Sequence, residues 1–210
     1  GSEPEMCGNG VRCLAVFAAD VGMDAGALVL DTRAGVIVPT PVAGGGVRVD
    51  MGVPTTDPPA VPTTLPTTTA EVVVAGRPWT VTGVSMGNPH AVTFVSAVDF
   101  DAIDANLEAL GPAFEHATDL WPARINTEFV TVDAPDAVRM VVWERGAGRT
   151  RACGTGACAV VVAAVLTGRT GRSVTVGLPG GDLHIEWREA DGRVYMTGPA
   201  ELAFTGTVMV

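Results

Sequence analysis

Short β-branched-rich stretches, separated by Gly, Pro and Asp, run through the chain. They predict strands at residues 28–31, 46–51, 72–74, 91–95, 128–133, 138–144, 174–176, 183–187, 194–197 and 203–208. Leu183-His184-Ile185-Glu186-Trp187 alternates apolar and polar positions, as an antiparallel strand with one buried face should. Residues 102–110 have a polar side and predict a short surface helix. Residues 10–21 and 156–166 are apolar nearly all round, and a helix with no polar face must be enclosed by other elements. The expected fold class is α+β: two pseudo-symmetric halves, each a mixed β-sheet curled around one central apolar helix. The Pro/Thr-rich stretch 54–69 reads as a linker between the two helices. Residues 1–53 with 199–210 are expected to form the N-terminal half, and residues 54–198 the C-terminal half.

The two apolar helices have matching starts. Met6-Cys7-Gly8-Asn9-Gly10-Val11-Arg12-Cys13 leads into the first, and Ala152-Cys153-Gly154-Thr155-Gly156-Ala157-Cys158 into the second. Self-similarity at this distance points to two related halves. Each leading cysteine falls where unpaired N–H groups and the helix dipole favour an anion, a setting that lowers a thiol pKa. The glycines permit close backbone approach, and the free N–H groups beside them suit a carboxylate. Two such starts facing each other supply a thiol on either side of a carboxylate-bearing carbon. That arrangement fits proton transfer at one stereocentre, with one base to remove the proton and an opposed acid to return it. Cys13 and Cys158, inside the helices, read as core.

Composition narrows the chemistry. Of 210 residues, 13 are basic and all of these are arginines, so no lysine can hold pyridoxal phosphate as a Schiff base. No cofactor is expected. A net charge of −10 disfavours nucleic acid. Neither a bilayer-spanning apolar run nor a signal peptide is evident, so a cytoplasmic protein with free thiols is expected, without a membrane partner. The spacings C-x5-C and C-x4-C are not those of zinc sites, and His90, His116 and His184 complete no ligand set; no metal is expected.

With these motifs in place the chain resembles the diaminopimelate epimerase family. The resemblance is carried by Glu5-Met6-Cys7-Gly8-Asn9-Gly10-Val11-Arg12-Cys13, Ser85-Met86-Gly87-Asn88-Pro89-His90, Arg124-Ile125-Asn126-Thr127-Glu128-Phe129-Val130 and Glu144-Arg145-Gly146-Ala147-Gly148-Arg149-Thr150. Ala152-Cys153-Gly154-Thr155-Gly156-Ala157-Cys158, Leu178-Pro179-Gly180-Gly181 and Tyr195-Met196-Thr197-Gly198 complete it, all in family order. It implies cofactor-independent interconversion of LL- and meso-diaminopimelate, on the route to lysine and peptidoglycan precursors, by a homodimer. It also implies that Cys7 is the proton donor and Cys153 the acceptor, exchanging roles in the reverse direction. Gly8, Asn9, Gly154 and Thr155 would present backbone amides to the substrate. Asn88, Asn126 and Arg145 would hold its distal end, with Glu144 complementing the charge there, and His90 and Glu144 would flank the thiols.

Taken singly, these residues have plainer readings. Asn88 before a proline suits a turn, and Glu144-Arg145 suits a solvated charge pair. Family members carry further strands ahead of the first motif. The expectation is therefore that the 210-residue chain alone is unstable or inactive, its first apolar helix lacking part of its cover. The alternatives are a proline or hydroxyproline racemase-like isomerase, or an inactive fragment of the epimerase.

Overall fold

A computed structural model describes residues 7–23, 28–32 and 35–208, so Glu5 and Met6 of the first motif lie outside the described residues. In chain order the elements are α1 (Gly8–Asp20), β1 (Leu30–Thr32), β2 (Gly35–Ile37), β3 (Thr40–Val42), β4 (Gly46–Asp50), β5 (Thr69–Val74), β6 (Arg77–Ser85) and β7 (Pro89–Phe94). They continue as α2 (Ala97–Ala105), α3 (Leu107–Glu115), β8 (Asn126–Ala134), β9 (Ala137–Glu144), β10 (Gly148–Thr150), α4 (Gly154–Leu166), β11 (Ser173–Leu178), β12 (Gly181–Trp187) and β13 (Val194–Pro199).

The fold is α+β and its main sheet is mixed. The order is β3-β4-β13-β12-β11-β9-β8-β7-β6-β5, with β10 folded back on β9 and β1-β2 forming a separate hairpin. Two neighbours run parallel, β7 with β8 and β9 with β11. β13 lies between β4 and β12, so strands from both ends of the chain share one hydrogen-bonded path.

Strand periodicity sorts side chains between two cores. On β8, Val130 and Val132 face α4, while Phe129 faces the opposite layer. The α4 side holds an apolar cluster in which Ala157 to Ala164 are all inaccessible. Its Gly, Ala, Cys and Val side chains are small, so the sheet can close tightly around the helix. On the other side α2 and α3 cover the sheet, and Phe114 of α3 meets the rings of Trp79 and Phe129 at centroid distances of 5.3 and 5.2 Å, those two lying 5.6 Å apart. Because β8 is covered on both faces, residues 126–131 are all buried.

Several expectations need correction. Residues 203–208 form no strand, and Leu202, Phe204 and Val208 are exposed; their alternation meets no neighbouring strand among the described residues. The single surface helix at 102–110 is two helices, broken at Asn106, whose side chain donates to Ala102 O. Their inner residues Phe100, Ile103, Leu107 and Phe114 build the second core. Of the two apolar helices α4 is enclosed, whereas Leu14 and Phe17 on α1 are 42% and 57% exposed among the described residues, in line with the partial cover expected of that helix. Cys13, expected in the core, is likewise exposed, whereas Cys158 is buried.

The 54–69 stretch is not a free linker. Thr55 pairs with Ser85, the Thr64 N–H donates to Leu120 O, and Val61 and Leu65 are buried. Apolar side chains within the Pro/Thr pattern hold it down as a strap. Among the described residues no helix is long and apolar enough to cross a membrane.

Candidate active site

The two motif starts adopt one backbone geometry. Cys7 caps α1 with φ −128° and ψ 103°, and Cys153 caps α4 with φ −129° and ψ 107°. Each begins the helical ladder with its carbonyl, accepting from Val11 N–H at 2.9 Å and Ala157 N–H at 3.0 Å. The remaining first-turn N–H groups have no intrahelical partner, as helix geometry dictates.

The two helix starts meet across Met196 of β13. A Cβ on Gly8 would lie 2.5 Å from Met196 Cε, and one on Gly154 would lie 3.0 Å from Met196 Sδ. The second position is also only 3.7 Å from Asn9 Oδ1. Glycine at both places is what lets the helix ends close on the same side chain. Asn9 Oδ1 is buried in this seam without a hydrogen-bond partner among the described residues.

The thiols occupy unlike surroundings. Cys7 is exposed and its Sγ accepts the Gly10 N–H at 3.5 Å. Cys153 is buried, and the Gly156 N–H faces its sulfur without closing a cap hydrogen bond. Burial pushes the Cys153 thiol well above its usual range, and the charges of Glu144 and Glu128 push the same way. The Thr155 hydroxyl and the Gly156 N–H oppose this without prevailing. The lowered thiol pKa expected from a helix N-terminus is thus reversed at Cys153, because desolvation and two carboxylates outweigh the hydrogen bonds offered to the sulfur.

Four further positions converge at this end of α4. The parallel register sets His90 opposite Asn126, and period two puts Glu128 on the same face. His90 is fully buried, with Nδ1 2.7 Å from Glu128 Oε1 and Nε2 3.0 Å from Asn88 Oδ1. Asn88 Nδ2 donates to Thr155 Oγ1 at 3.2 Å, and Thr155 Oγ1 lies 3.6 Å from Cys153 Sγ. Glu144, at the end of β9, accepts from the Thr150 hydroxyl on β10.

Asn126 braces the same region. Its Nδ2 donates to Pro89 O at 2.7 Å and its Oδ1 accepts the Arg145 N–H at 2.9 Å. The Arg145 guanidinium donates to Ala123 O at 3.0 Å. Gly8 and Asn9 thus meet Gly154 across Met196, and His90, Asn88, Thr155 and Cys153 form one hydrogen-bonded line, whereas Asn126 and Arg145 are tied to Pro89 O, to each other and to Ala123 O. Among the described residues, no three His, Cys, Asp or Glu side chains gather as a metal ligand set.

Three residues were not assigned roles from sequence. Glu128, buried between Asn126 and Val130, is the carboxylate that meets His90. Its signal was an acid on the apolar face of an alternating strand. Glu115 at the end of α3 accepts from Trp143 Nε1, Gly146 N–H and Arg124. No local pattern distinguished it. Arg12 is buried in α1, donates to Pro199 O at 3.3 Å, and sets its charge near Cys13, Cys7 and Cys158.

Comparison with known proteins adds an independent line. A sequence model described as diaminopimelate epimerase matches residues 82–203. The diaminopimelate epimerase of a Synechocystis species is 55% identical over 98% of this chain and 74% of its own length. A chloroplastic diaminopimelate epimerase of Oryza sativa subsp. japonica is 53% identical over 100% of this chain and 62% of its own length. Among solved structures, a phenazine biosynthesis protein of the PhzF family from Enterococcus faecalis superposes with a TM-score of 0.65 at 14% identity, over 99% of this chain and 75% of that one. A probable proline racemase from Agrobacterium radiobacter gives 0.62 at 16%, over 96% and 68%. These two share the fold. The identity to the curated relatives, sustained over nearly the whole chain, is what decides the matter: the chain belongs to the diaminopimelate epimerase family.

Proposed function

We propose that this protein is a cofactor-independent isomerase that epimerises diaminopimelate between its LL and meso forms, using Cys7 and Cys153 as opposed acid and base. The observation that carries this reading is the pair of identically folded helix starts, each led by a cysteine, closing on Met196. The α-carboxylate of the substrate rests on the first-turn amides of Gly8 and Asn9 on one side and Gly154 and Thr155 on the other. Those N–H dipoles stabilise the charge that builds as the α-proton leaves. Asn9 Oδ1, an acceptor with no donor among the described residues, is suited to the substrate ammonium.

One thiolate removes the α-proton while the opposite thiol delivers another to the far face, and the roles exchange in the reverse reaction. Burial and the nearby carboxylates disfavour the Cys153 thiolate that accepts the α-proton, and the Thr155 hydroxyl and the Gly156 N–H work against that penalty. Asn88 and Asn126 each retain an amide hydrogen beyond the bonds described, and with Arg145 they hold the distal head group. The same reading includes a cytoplasmic homodimer, for which sedimentation reports the assembly.

The test is epimerisation of LL-diaminopimelate in D2O, followed by solvent deuterium at the α-carbon. Cys7→Ala and Cys153→Ala should each abolish conversion to the meso form, and L-proline should not be turned over. Wild-type turnover by either variant would overturn the two-thiol scheme.

A further inference from the structure

A continuous line of hydrogen bonds runs from Glu128 to Cys153. Its links are Glu128 Oε1 to His90 Nδ1 at 2.7 Å, His90 Nε2 to Asn88 Oδ1 at 3.0 Å, Asn88 Nδ2 to Thr155 Oγ1 at 3.2 Å, and Thr155 Oγ1 to Cys153 Sγ at 3.6 Å. The direction of each link follows from the atoms. Asn88 Oδ1 can only accept, so His90 Nε2 carries a hydrogen. Asn88 Nδ2 can only donate, so the Thr155 oxygen accepts there, and its own hydrogen is free for the sulfur.

We propose that Glu128 is a positioning residue which, by presenting a proton to His90 Nδ1, fixes the polarity of this line so that the Thr155 hydroxyl donates to Cys153 Sγ. The inference rests on the reading of Cys153 as an acid–base thiol. A sulfur that always receives the Thr155 hydrogen must direct its own S–H elsewhere, into the cleft between the helix starts. Once that proton has left, the same bond stabilises the thiolate against the burial that disfavours it. Loss of the proton from the Glu128–His90 pair would reverse the line. Nδ1–H would then face the carboxylate, Nε2 would accept from the amide, and Thr155 would turn its hydrogen to Asn88.

The surroundings of Glu128 favour the protonated arrangement. Its Oε2 is buried and has no partner among the described residues, which is far costlier for an ionised carboxylate than for a neutral acid. Burial raises its pKa, and Glu144 adds to this, whereas His90 opposes it. The titratable groups facing Glu128 and Cys153 are His90 from β7, Glu144 from β9 and each other. A neutral Glu128 also removes one of the two charges that disfavour the Cys153 thiolate.

The test reads the thiol directly, by iodoacetamide alkylation of each cysteine against pH with mass-spectrometric assignment. Glu128→Gln presents an N–H to His90 Nδ1 and keeps the polarity, so Cys153 should alkylate within about twofold of wild type. Glu128→Leu leaves the His90 tautomer unpinned, and Cys153 should alkylate about tenfold more slowly at a given alkaline pH, the effect of losing a hydrogen bond to a charged group. Thr155→Val should match that loss and Thr155→Ser should restore the rate. Should Glu128→Leu fail to fold, the isosteric Glu128→Gln and Thr155→Val still decide. A Glu128→Gln protein slowed tenfold, or a Thr155→Val protein at the wild-type rate, would overturn the proposal. Lack of epimerisation by the unaltered protein would instead count against the function proposed above, because alkylation does not depend on substrate.

Discussion

Glu115, at the end of α3, accepts the backbone N–H of Gly146 at 2.9 Å, so a helix on the far side of the sheet fixes the turn that follows Glu144 and Arg145. The same carboxylate takes Trp143 Nε1 at 2.8 Å and Arg124 Nη1 at 2.9 Å. Glu115→Ala would take the acceptor from three part-buried hydrogen bonds and should cost about 1–3 kcal/mol in urea unfolding. It should also impair turnover by loosening the segment that carries Glu144.

The pH dependence of that brace follows from its ionisation. Burial alone would raise the Glu115 carboxyl, but the Trp143 indole, the Gly146 N–H and the charges of His116 and Arg124 together hold it below its ordinary value. With the folded value depressed, the unfolded chain takes up the proton first as pH falls. The stabilisation is complete above the unfolded carboxylate value of about 4.3 and is lost on passing down through the folded one. Glu115→Gln should flatten the acid side of the stability profile, and an unchanged acid slope would count against the brace.

The two glycine-rich starts should differ in tolerance despite their shared geometry. A Cβ on Gly156 would fall 2.7 Å from Glu128 Oε1 and 3.2 Å from Cys153 Sγ, both held in a packed interior. A Cβ on Gly10 would meet only Cys7 atoms at 3.6 Å, an ordinary contact. Gly156→Ala should therefore destabilise by about 1–3 kcal/mol and sharply reduce turnover. Gly10→Ala should raise stability by about 0.4–1 kcal/mol, since its helical backbone suits alanine. Equal effects in paired unfolding curves would contradict the asymmetric packing of the two thiols.

The strand β8 marks how far the sequence could be read. Its β-branched alternation predicted the element, and the same period placed Glu128 with Asn126 and Val130 on one face. What local pattern did not contain was the parallel pairing with β7 that brings His90 beside that face, nor the helix from later in the chain that seals it. The Cys153 thiol was misjudged for the same reason. A helix N-terminus is visible in sequence, whereas desolvation and the approach of Glu144 and Glu128 arise only when β8 and β9 pack beneath α4. The cysteine-glycine repeat was legible because both halves of the site are short and contiguous. Residues 203–208 erred in the opposite direction, since alternation alone does not supply a neighbouring strand.

The buried thiols of Cys153 and Cys158 make stability fall on the alkaline side. Burial pushes both above the usual thiol range, opposed at Cys158 by the charge of Arg12. With the folded values raised, the unfolded chain ionises first as pH climbs past the ordinary thiol value of about 8.5. Stability is therefore full below that pH and declines through the alkaline range until the folded groups also ionise. Urea unfolding between about pH 7 and 10 should give this decline. Cys158→Ala should reduce the slope, at the expense of a cavity where the sulfur packs against α1 and the sheet. A profile flat across this range, or one whose slope Cys158→Ala leaves unchanged, would mean that the α4 thiols are not held neutral by burial.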